Sequence, residues 1–227
     1  MTEEGAASRN TQLAHERPAV ERWLSWSGLV PLPAFLLLHL TRELQLAFHD
    51  DVSDVLRPAP SMFGQATSWL LVWLPLLVHG ALGVFFLLGG RRLSPPSTGA
   101  DVPALPRLVS RIGGALALLF VAYHTRSYSI AVWLGEADAR DAGFRLLAEL
   151  SSTRFGVPLL GGAYLLGLLA TVTHAGLAVH RTLLVEGLLA TAARRQASAR
   201  ACAGIAALLF GVGAAAVIRV ASGVLLR

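Results

Sequence analysis

The sequence contains little cysteine, no lysine and few charged residues of either sign. Cys202 is the single cysteine among 227 residues, so an internal disulfide is excluded, as is a metal or iron–sulfur site built from several cysteines. Charged residues make up 15% of the chain and hydrophobic residues 54%, whereas about 25% of residues are charged in soluble domains. This composition predicts an integral membrane protein, and the net charge of +5 is weak evidence for nucleic acid, so no nucleic-acid partner is expected.

Five apolar stretches are long enough to cross a bilayer, which takes about 20 helical residues. They cover roughly residues 23–46, 67–90, 107–134, 156–185 and 201–225. We therefore predict an all-α integral membrane protein, with a five-helix transmembrane bundle as one domain over 23–227. Residues 1–22 are polar and predict a short N-terminal tail. The connections are short and leave no room for a soluble catalytic domain.

The arginines are distributed unevenly over the two predicted sides of the membrane. Most of them lie in the N-terminal tail and in the 91–111 and 181–200 connections. Because arginine-rich short loops stay in the cytoplasm, we expect the N-terminus to be cytoplasmic and the C-terminus to lie outside.

Prolines predict irregular geometry in the first two helices. Pro31, Pro33 and Pro75 fall inside the apolar stretches, where neighbouring groups can satisfy the carbonyls that proline leaves unpaired. The longer polar connections, 47–66 and 135–154, have room for short helices of their own.

Four histidines, His39, His79, His124 and His174, each lie alone in a different apolar stretch. An ionisable side chain inside a membrane is costly and indicates a function. A neutral imidazole is a good axial ligand for haem iron, and two such ligands leave no open position for oxygen. The pattern favours two haems in an electron carrier over the alternative, in which the histidines hydrogen-bond across helices or line a proton path.

The depths of the histidines predict how they pair. With a rise of about 1.5 Å per residue, His39 and His124 fall in the outer half of the membrane, on helices that run outward. His79 and His174 fall in the inner half, on helices that run back. We therefore expect an outer haem between His39 and His124 and an inner haem between His79 and His174.

Haem propionates need cations or hydroxyl donors near the ends of the helices. Arg181 is the first choice for the inner haem, and the neighbouring His180 is expected to serve its propionates or the membrane surface. Further candidates at this boundary are Arg22, Ser25, Ser27 and Arg111. Boundary arginines that extend toward water, and packed serines, are the alternative interpretation.

Two glycines share a helix face with two of the histidines. Gly28 precedes His39 by eleven residues and Gly113 precedes His124 by eleven, which is about three helical turns. A glycine at such a position could admit the edge of a second haem. Close packing of helices through small residues explains the spacing equally well.

A cluster of polar residues beside the outer histidines suggests a quinone site. Arg42 and Glu43 follow His39 by about one turn, and Arg126 and Tyr128 follow His124. A quinone needs hydrogen-bond donors for its carbonyls and a source of protons, which these side chains could supply. The alternative is an interfacial ion pair with a tyrosine at the membrane boundary.

Several segments resemble one family. The run Arg-Trp-Leu-Ser-Trp-Ser-Gly-Leu-Val-Pro-Leu-Pro-Ala-Phe-Leu-Leu-Leu-His-Leu at 22–40 resembles the first helix of the five-helix, two-haem cytochrome b subunit of succinate:quinone oxidoreductases. The segments 73–83 and 110–124 are similar to its second and third helices, and Tyr164, Gly167, His174 and Arg181 follow its fourth. The resemblance covers roughly 22–195 and depends on the placement of the histidines.

The resemblance implies a function. It implies an anchor in a bacterial cytoplasmic membrane for a flavoprotein subunit and an iron–sulfur subunit, with electrons from succinate passing through two b haems to quinone, often menaquinone. The four histidines correspond to that family's haem ligands, paired first with third and second with fourth. Such a subunit has no catalysis alone. Three alternatives stay open: an anchor that oxidises menaquinol for fumarate reduction, a dihaem cytochrome of another dehydrogenase, and a haem-free membrane protein that handles protons.

Overall fold

The computed structural model describes residues 19–48, 62–89, 104–136 and 138–222. Within these ranges it contains helices and turns and no strand, which confirms the predicted all-α class. Five helical segments are long and apolar enough to cross a membrane. In chain order, and named here the first to the fifth span, they are Ala19–Leu40, Ala66–Leu88, Leu105–Trp133, Leu159–Val185 and Ala192–Ala221.

The fifth span begins nine residues before the predicted start, at Ala192 instead of 201. The sequence of this extra segment is polar but consists largely of alanine, arginine and glutamine, which favour helix. Thr191 caps it, because the backbone N–H of Arg194 donates to the Thr191 hydroxyl at 3.2 Å. Apolar length alone therefore placed the start too late. The first span likewise begins earlier than predicted, at Ala19.

The fourth span ends in a tight turn. Gly187 has φ of +76°, a conformation that glycine adopts without a steric cost. The N–H of Leu188 donates to the carbonyl of Leu183 at 3.1 Å, which closes the end of the helix in the manner of a Schellman motif. The predicted 181–200 connection is therefore reduced to a few residues between two long helices.

The first two spans are irregular, as their prolines predicted. A single residue, Val30, separates helix Ala19–Leu29 from helix Pro31–Phe48. In the second span, a π-helical turn at Trp69–Trp73 leads into helix Leu74–Leu88, which carries a proline in its first turn. The third span has a π-helical turn at Thr125–Ile130 that contains no proline. Such turns are often found at functional sites.

The chain divides into two compact units. Among the described residues, the first unit comprises 19–34, 68–89, 104–114 and 173–206, and the second comprises 35–48, 62–67, 115–136, 138–172 and 207–222. His79 and His174 belong to the first unit, and His39 and His124 belong to the second.

A further helix, Ala139–Ser151, lies in the second unit and is called here the connecting helix. Leu147 and Leu150 from this helix form a buried cluster with Tyr128, Tyr164 and Val220. Leu147 is only 2% exposed. The connecting helix is therefore packed against the spans of its unit through its apolar face, and this packing brings its polar residues close to Tyr128.

Many large apolar side chains on the spans are exposed. Leu77 is 70% exposed, Leu119 68% and Leu208 68%. A soluble protein rarely leaves such extended apolar surface uncovered. Exposed leucines on helices of this length fit spans that are surrounded by lipid.

Candidate functional site

The first unit brings His79 and His174 together. Their ring centroids lie 6.1 Å apart, with an angle of 59° between the ring planes. The Nδ1 atom of His79 lies 2.8 Å from the carbonyl oxygen of Leu24, and that of His174 lies 3.0 Å from the carbonyl oxygen of Ser110. Because a carbonyl can only accept, Nδ1 donates in both rings and the Nε2 lone pair is available to a metal.

Two glycines allow these rings to lie directly against the backbone of other helices. A Cβ atom on Gly28 would lie 2.5 Å from the His79 ring, and one on Gly114 would lie 2.8 Å from the His174 ring. The group that packs against Gly28 in the first unit is therefore the imidazole of His79. Gly113, which the sequence placed on the face of His124 as a position that could admit a haem edge, is buried, and that role stays a prediction.

The second unit brings His39 and His124 together with nearly the same spacing. Their ring centroids lie 6.0 Å apart, with an angle of 56° between the ring planes. A phenylalanine one helical turn before each histidine stacks on it: Phe35 on His39 at 5.2 Å and Phe120 on His124 at 5.9 Å. Both imidazoles are thus flanked by an aromatic ring from their own helix.

Behind His124 lies a series of polar side chains, called here the tyrosine–glutamate chain: Tyr164, Tyr128 and Glu149. The Nδ1 atom of His124 is 3.1 Å from the hydroxyl oxygen of Tyr164. Tyr164 and Tyr128 pack together in the buried cluster of the second unit. The Tyr128 hydroxyl donates to a carboxylate oxygen of Glu149 at 2.9 Å. The chain therefore connects the half-buried imidazole of His124 with a half-buried carboxylate on the connecting helix.

The two histidine pairs fit the axial ligands of haem. With a metal–nitrogen bond of about 2.0 Å and about 1.1 Å from nitrogen to ring centre, two imidazoles on one iron have centroids about 6 Å apart. Both pairs have this spacing. Among the described residues no three His, Cys, Asp or Glu side chains converge on one point, and a haem site of this type needs only two.

The predicted propionate partners of the inner site all lie in the first unit. Ser25 donates to the carbonyl of Glu21 at 3.0 Å and Ser27 to that of Leu24 at 3.3 Å, so both hydroxyls bond within their own helix. His180 Nδ1 is 3.0 Å from the Ser198 hydroxyl. Arg22 and Arg181 are half-buried, and Arg111 is exposed. Their roles toward a propionate stay predictions.

The quinone candidates are found in different surroundings. Arg126 forms a two-point ion pair with Glu136, at 2.9 and 3.1 Å, and both side chains are about half exposed. This geometry favours the interfacial ion pair for Arg126. Tyr128 is buried, with its ring centroid 5.5 Å from that of His124. Arg42 and Glu43 belong to the helix Pro31–Phe48, but their side chains lie outside the described part of the structure.

Sequence reasoning missed two residues of the second unit. Glu149 lies in a polar connection that carried no hydropathy signal, and only the folding of the connecting helix brings it to Tyr128. The hydroxyl of Thr125, directly after His124, is buried without a hydrogen-bond partner among the described residues. A group bound beside His124 could supply one. The signal in the sequence was the position of Thr125 directly after the predicted ligand His124.

Five apolar helices fit a membrane-anchor cytochrome b, which is the class that the sequence predicts. Over 155 residues the chain is 24% identical to the succinate dehydrogenase cytochrome b558 subunit of Bacillus subtilis. The match covers 65% of this chain and 69% of that subunit, and it confirms the resemblance stated from the sequence. No family model and no solved structure matches the chain.

Proposed function

We propose that this chain is the cytochrome b membrane anchor of a succinate dehydrogenase and binds two b haems. His39 and His124 would hold one haem, and His79 and His174 the other. The observation that carries the proposal is the occurrence of two separate histidine pairs with centroid spacings of 6.0 and 6.1 Å. The five apolar helices and the likeness to the Bacillus subtilis subunit support it.

A bound haem supplies one-electron transfer, here between an iron–sulfur partner subunit and quinone. The protein holds the imidazoles in the required positions. The carbonyls of Leu24 and Ser110 fix the ring orientations in the first unit. Phe35 and Phe120 flank the rings in the second. Bis-histidine ligation leaves no open coordination position, so the sites are suited to electron transfer and not to oxygen binding.

We further propose that His79 and His174 lie in the cytoplasmic half of the membrane, on the side where the flavoprotein and iron–sulfur subunits bind. The arginine bias of the tail and of the 181–200 region supports this orientation. The quinone, expected to be menaquinone, would bind near His39 and His124, where Arg42 and Arg126 are the candidates for hydrogen bonds to its carbonyls and Glu43 is the candidate for proton supply. Tyr128 would line this site without donating to the quinone, because its hydrogen is donated to Glu149.

The test is a count of haem per polypeptide, by pyridine haemochrome assay, on protein purified from membranes. We expect about two b haems in the unchanged protein and about one after His79→Ala, His174→Ala, His39→Ala or His124→Ala. His180→Ala is the matched control for iron ligation, because His180 lies on the same helix as His174 but bonds to Ser198. Even as a propionate partner it would not hold the iron, so this variant should retain both haems.

The identity of the haem that is lost tests the pairing. His79→Ala and His174→Ala should both retain only the haem of the His39/His124 pair and so share one reduced spectrum. His39→Ala and His124→Ala should both retain only the haem of the His79/His174 pair and share a second spectrum. Folded protein without haem, despite adequate haem supply, would overturn the proposal and favour the proton-handling alternative. If two variants from different units retained the same haem spectrum, the proposed pairing would be overturned.

A further inference from the structure

We infer that Glu149, acting through Tyr128 and Tyr164, lowers the reduction potential of the haem held by His39 and His124. Glu149 is in this sense a positioning residue: it touches neither the iron nor the imidazole, and its charge acts through two phenols. The inference depends on the proposed function, because it assumes that a haem binds at this pair.

The direction of the hydrogen bonds follows from the chemistry of the groups. An imidazole that ligates through Nε2 carries its hydrogen on Nδ1 and must donate it, and the group opposite Nδ1 of His124 is the Tyr164 hydroxyl at 3.1 Å. With its oxygen accepting from Nδ1, Tyr164 keeps its single phenolic hydrogen for a further acceptor, and we take this acceptor to be the oxygen of Tyr128, its neighbour in the buried cluster. The hydrogen of Tyr128 is donated to Glu149 at 2.9 Å. All donors therefore point from the imidazole toward the carboxylate.

Burial strengthens the coupling along the chain. Tyr164 is 6% exposed and Tyr128 is 8% exposed, and hydrogen bonds in such surroundings polarise one another more than in water. The carboxylate at the far end is about 40% exposed on its side chain, so it can carry its charge without the full cost of burial. The chain thus joins a partly exposed carboxylate to the His124 imidazole through two buried phenols.

Arg145 fixes the outer end of the chain. Its guanidinium lies 3.9 Å from Glu149 one helical turn away, donates to the carbonyl of Ser127 and lies 5.9 Å from the centre of the Tyr128 ring. These contacts tie the connecting helix to the third span beside His124. Loss of the Glu149 charge would leave the positive charge of Arg145, which acts on the haem potential in the same direction.

The consequence for the haem follows from ligand basicity. A hydrogen bond from a ligating histidine to an acceptor raises the basicity of the imidazole, and an anionic acceptor does so more than a neutral one. A more basic ligand stabilises ferric over ferrous iron and lowers the reduction potential, because hydrogen bonding around the ligand is one of the protein's means of setting it. The His79 and His174 rings bond instead to neutral backbone carbonyls.

The test is a spectroelectrochemical titration of both haems in Glu149→Gln, which keeps the shape and a hydrogen-bonding oxygen but removes the charge. We expect the oxidised-to-reduced ratio of the His39/His124 haem at its original midpoint to fall on the order of tenfold, an upward shift of about 59 mV. The potential of the His79/His174 haem should stay unchanged. Tyr128→Phe, which interrupts the chain, should shift the same haem in the same direction.

Asp141→Asn is the matched control, since Asp141 is an exposed carboxylate on the same helix two turns earlier and should leave both potentials unchanged. Arg145→Gln should shift the potential of the His39/His124 haem downward. The inference is overturned if Glu149→Gln moves neither haem, moves both equally, or moves them no more than Asp141→Asn. A haem count of two in every variant separates this result from failure of the proposed function, in which the unchanged protein would lack haem.

Discussion

The two histidine pairs have the same spacing but are supported by different means. In the first unit each imidazole lies against a glycine and bonds to a backbone carbonyl. In the second unit His124 bonds to a tyrosine that leads to a carboxylate, and phenylalanines flank both rings. A backbone carbonyl fixes the position of a ring and carries no net charge. A side-chain network can also tune the ring, so equal ligands need not give equal potentials.

Of the substitutions that test this comparison, Leu147→Ala is expected to have the largest effect on stability. Leu147 packs the connecting helix against Tyr128 and Tyr164 in the second unit. Its truncation should cost about 2–5 kcal/mol, as for other buried leucines, and should disturb the tyrosine–glutamate chain. We expect a lower thermal unfolding temperature in detergent and an altered potential of the His39/His124 haem only.

Leu134→Ala is the control for this change, because Leu134 lies in the same unit and is 52% exposed. An equal loss of stability in both variants, or a change in the haem of the other pair, would contradict the separation of the two sites.

A smaller effect is expected from Gly28→Ala or Gly114→Ala in the first unit. The added methyl would overlap the ring of His79 or His174, and the ring cannot move away without loss of its bond to a carbonyl. We expect a cost of about 1–3 kcal/mol from overpacking and a fall in haem content from about two toward one. Absorption spectra of the purified variants measure the loss.

Gly83→Ala is the matched control, since nothing lies within 4 Å of a Cβ atom there. If Gly28→Ala and Gly83→Ala retain haem equally, the glycine does not make room for the imidazole, and the first unit loses its distinguishing feature.

The smallest effect is expected from Thr191→Ala, which removes the cap of the fifth span. The loss of one capping bond should cost about 1 kcal/mol, measured as a small decrease in thermal unfolding temperature. Neither haem potential should change, because Thr191 contacts the Arg194 backbone and neither histidine pair. Thr191→Ser, which keeps the hydroxyl, should restore stability. A change in either potential would show that stability changes alone perturb the haems.

The sequence predicted the parts of the fold that depend on membrane physics. The length of the apolar stretches located five spans. The helical rise per residue gave the depth of each histidine in the bilayer, and equal depths paired His39 with His124 and His79 with His174. The start of the fifth span at Ala192 was missed because hydropathy ignores polar residues that favour helix.

The supporting residues were harder to predict, because their positions depend on packing. Glu149 reaches Tyr128 only through the folding of the connecting helix onto its unit, and no spacing in the sequence reports that contact. The contact of Gly114 with the His174 ring was not predicted, because one residue along a helix turns the face by about 100° and the face that meets a neighbour is set by packing. Rotation about a helix axis is set by side-chain packing, on which hydropathy carries little information.

The close approach of His79 to Gly28 has a consequence for assembly. A ring that lies on a neighbouring backbone and bonds to the Leu24 carbonyl has already lost most of its rotamer freedom when the helices have packed. Because that entropy is lost during folding, less of it opposes capture of the cofactor. The first unit would thus be preorganised for the proposed haem.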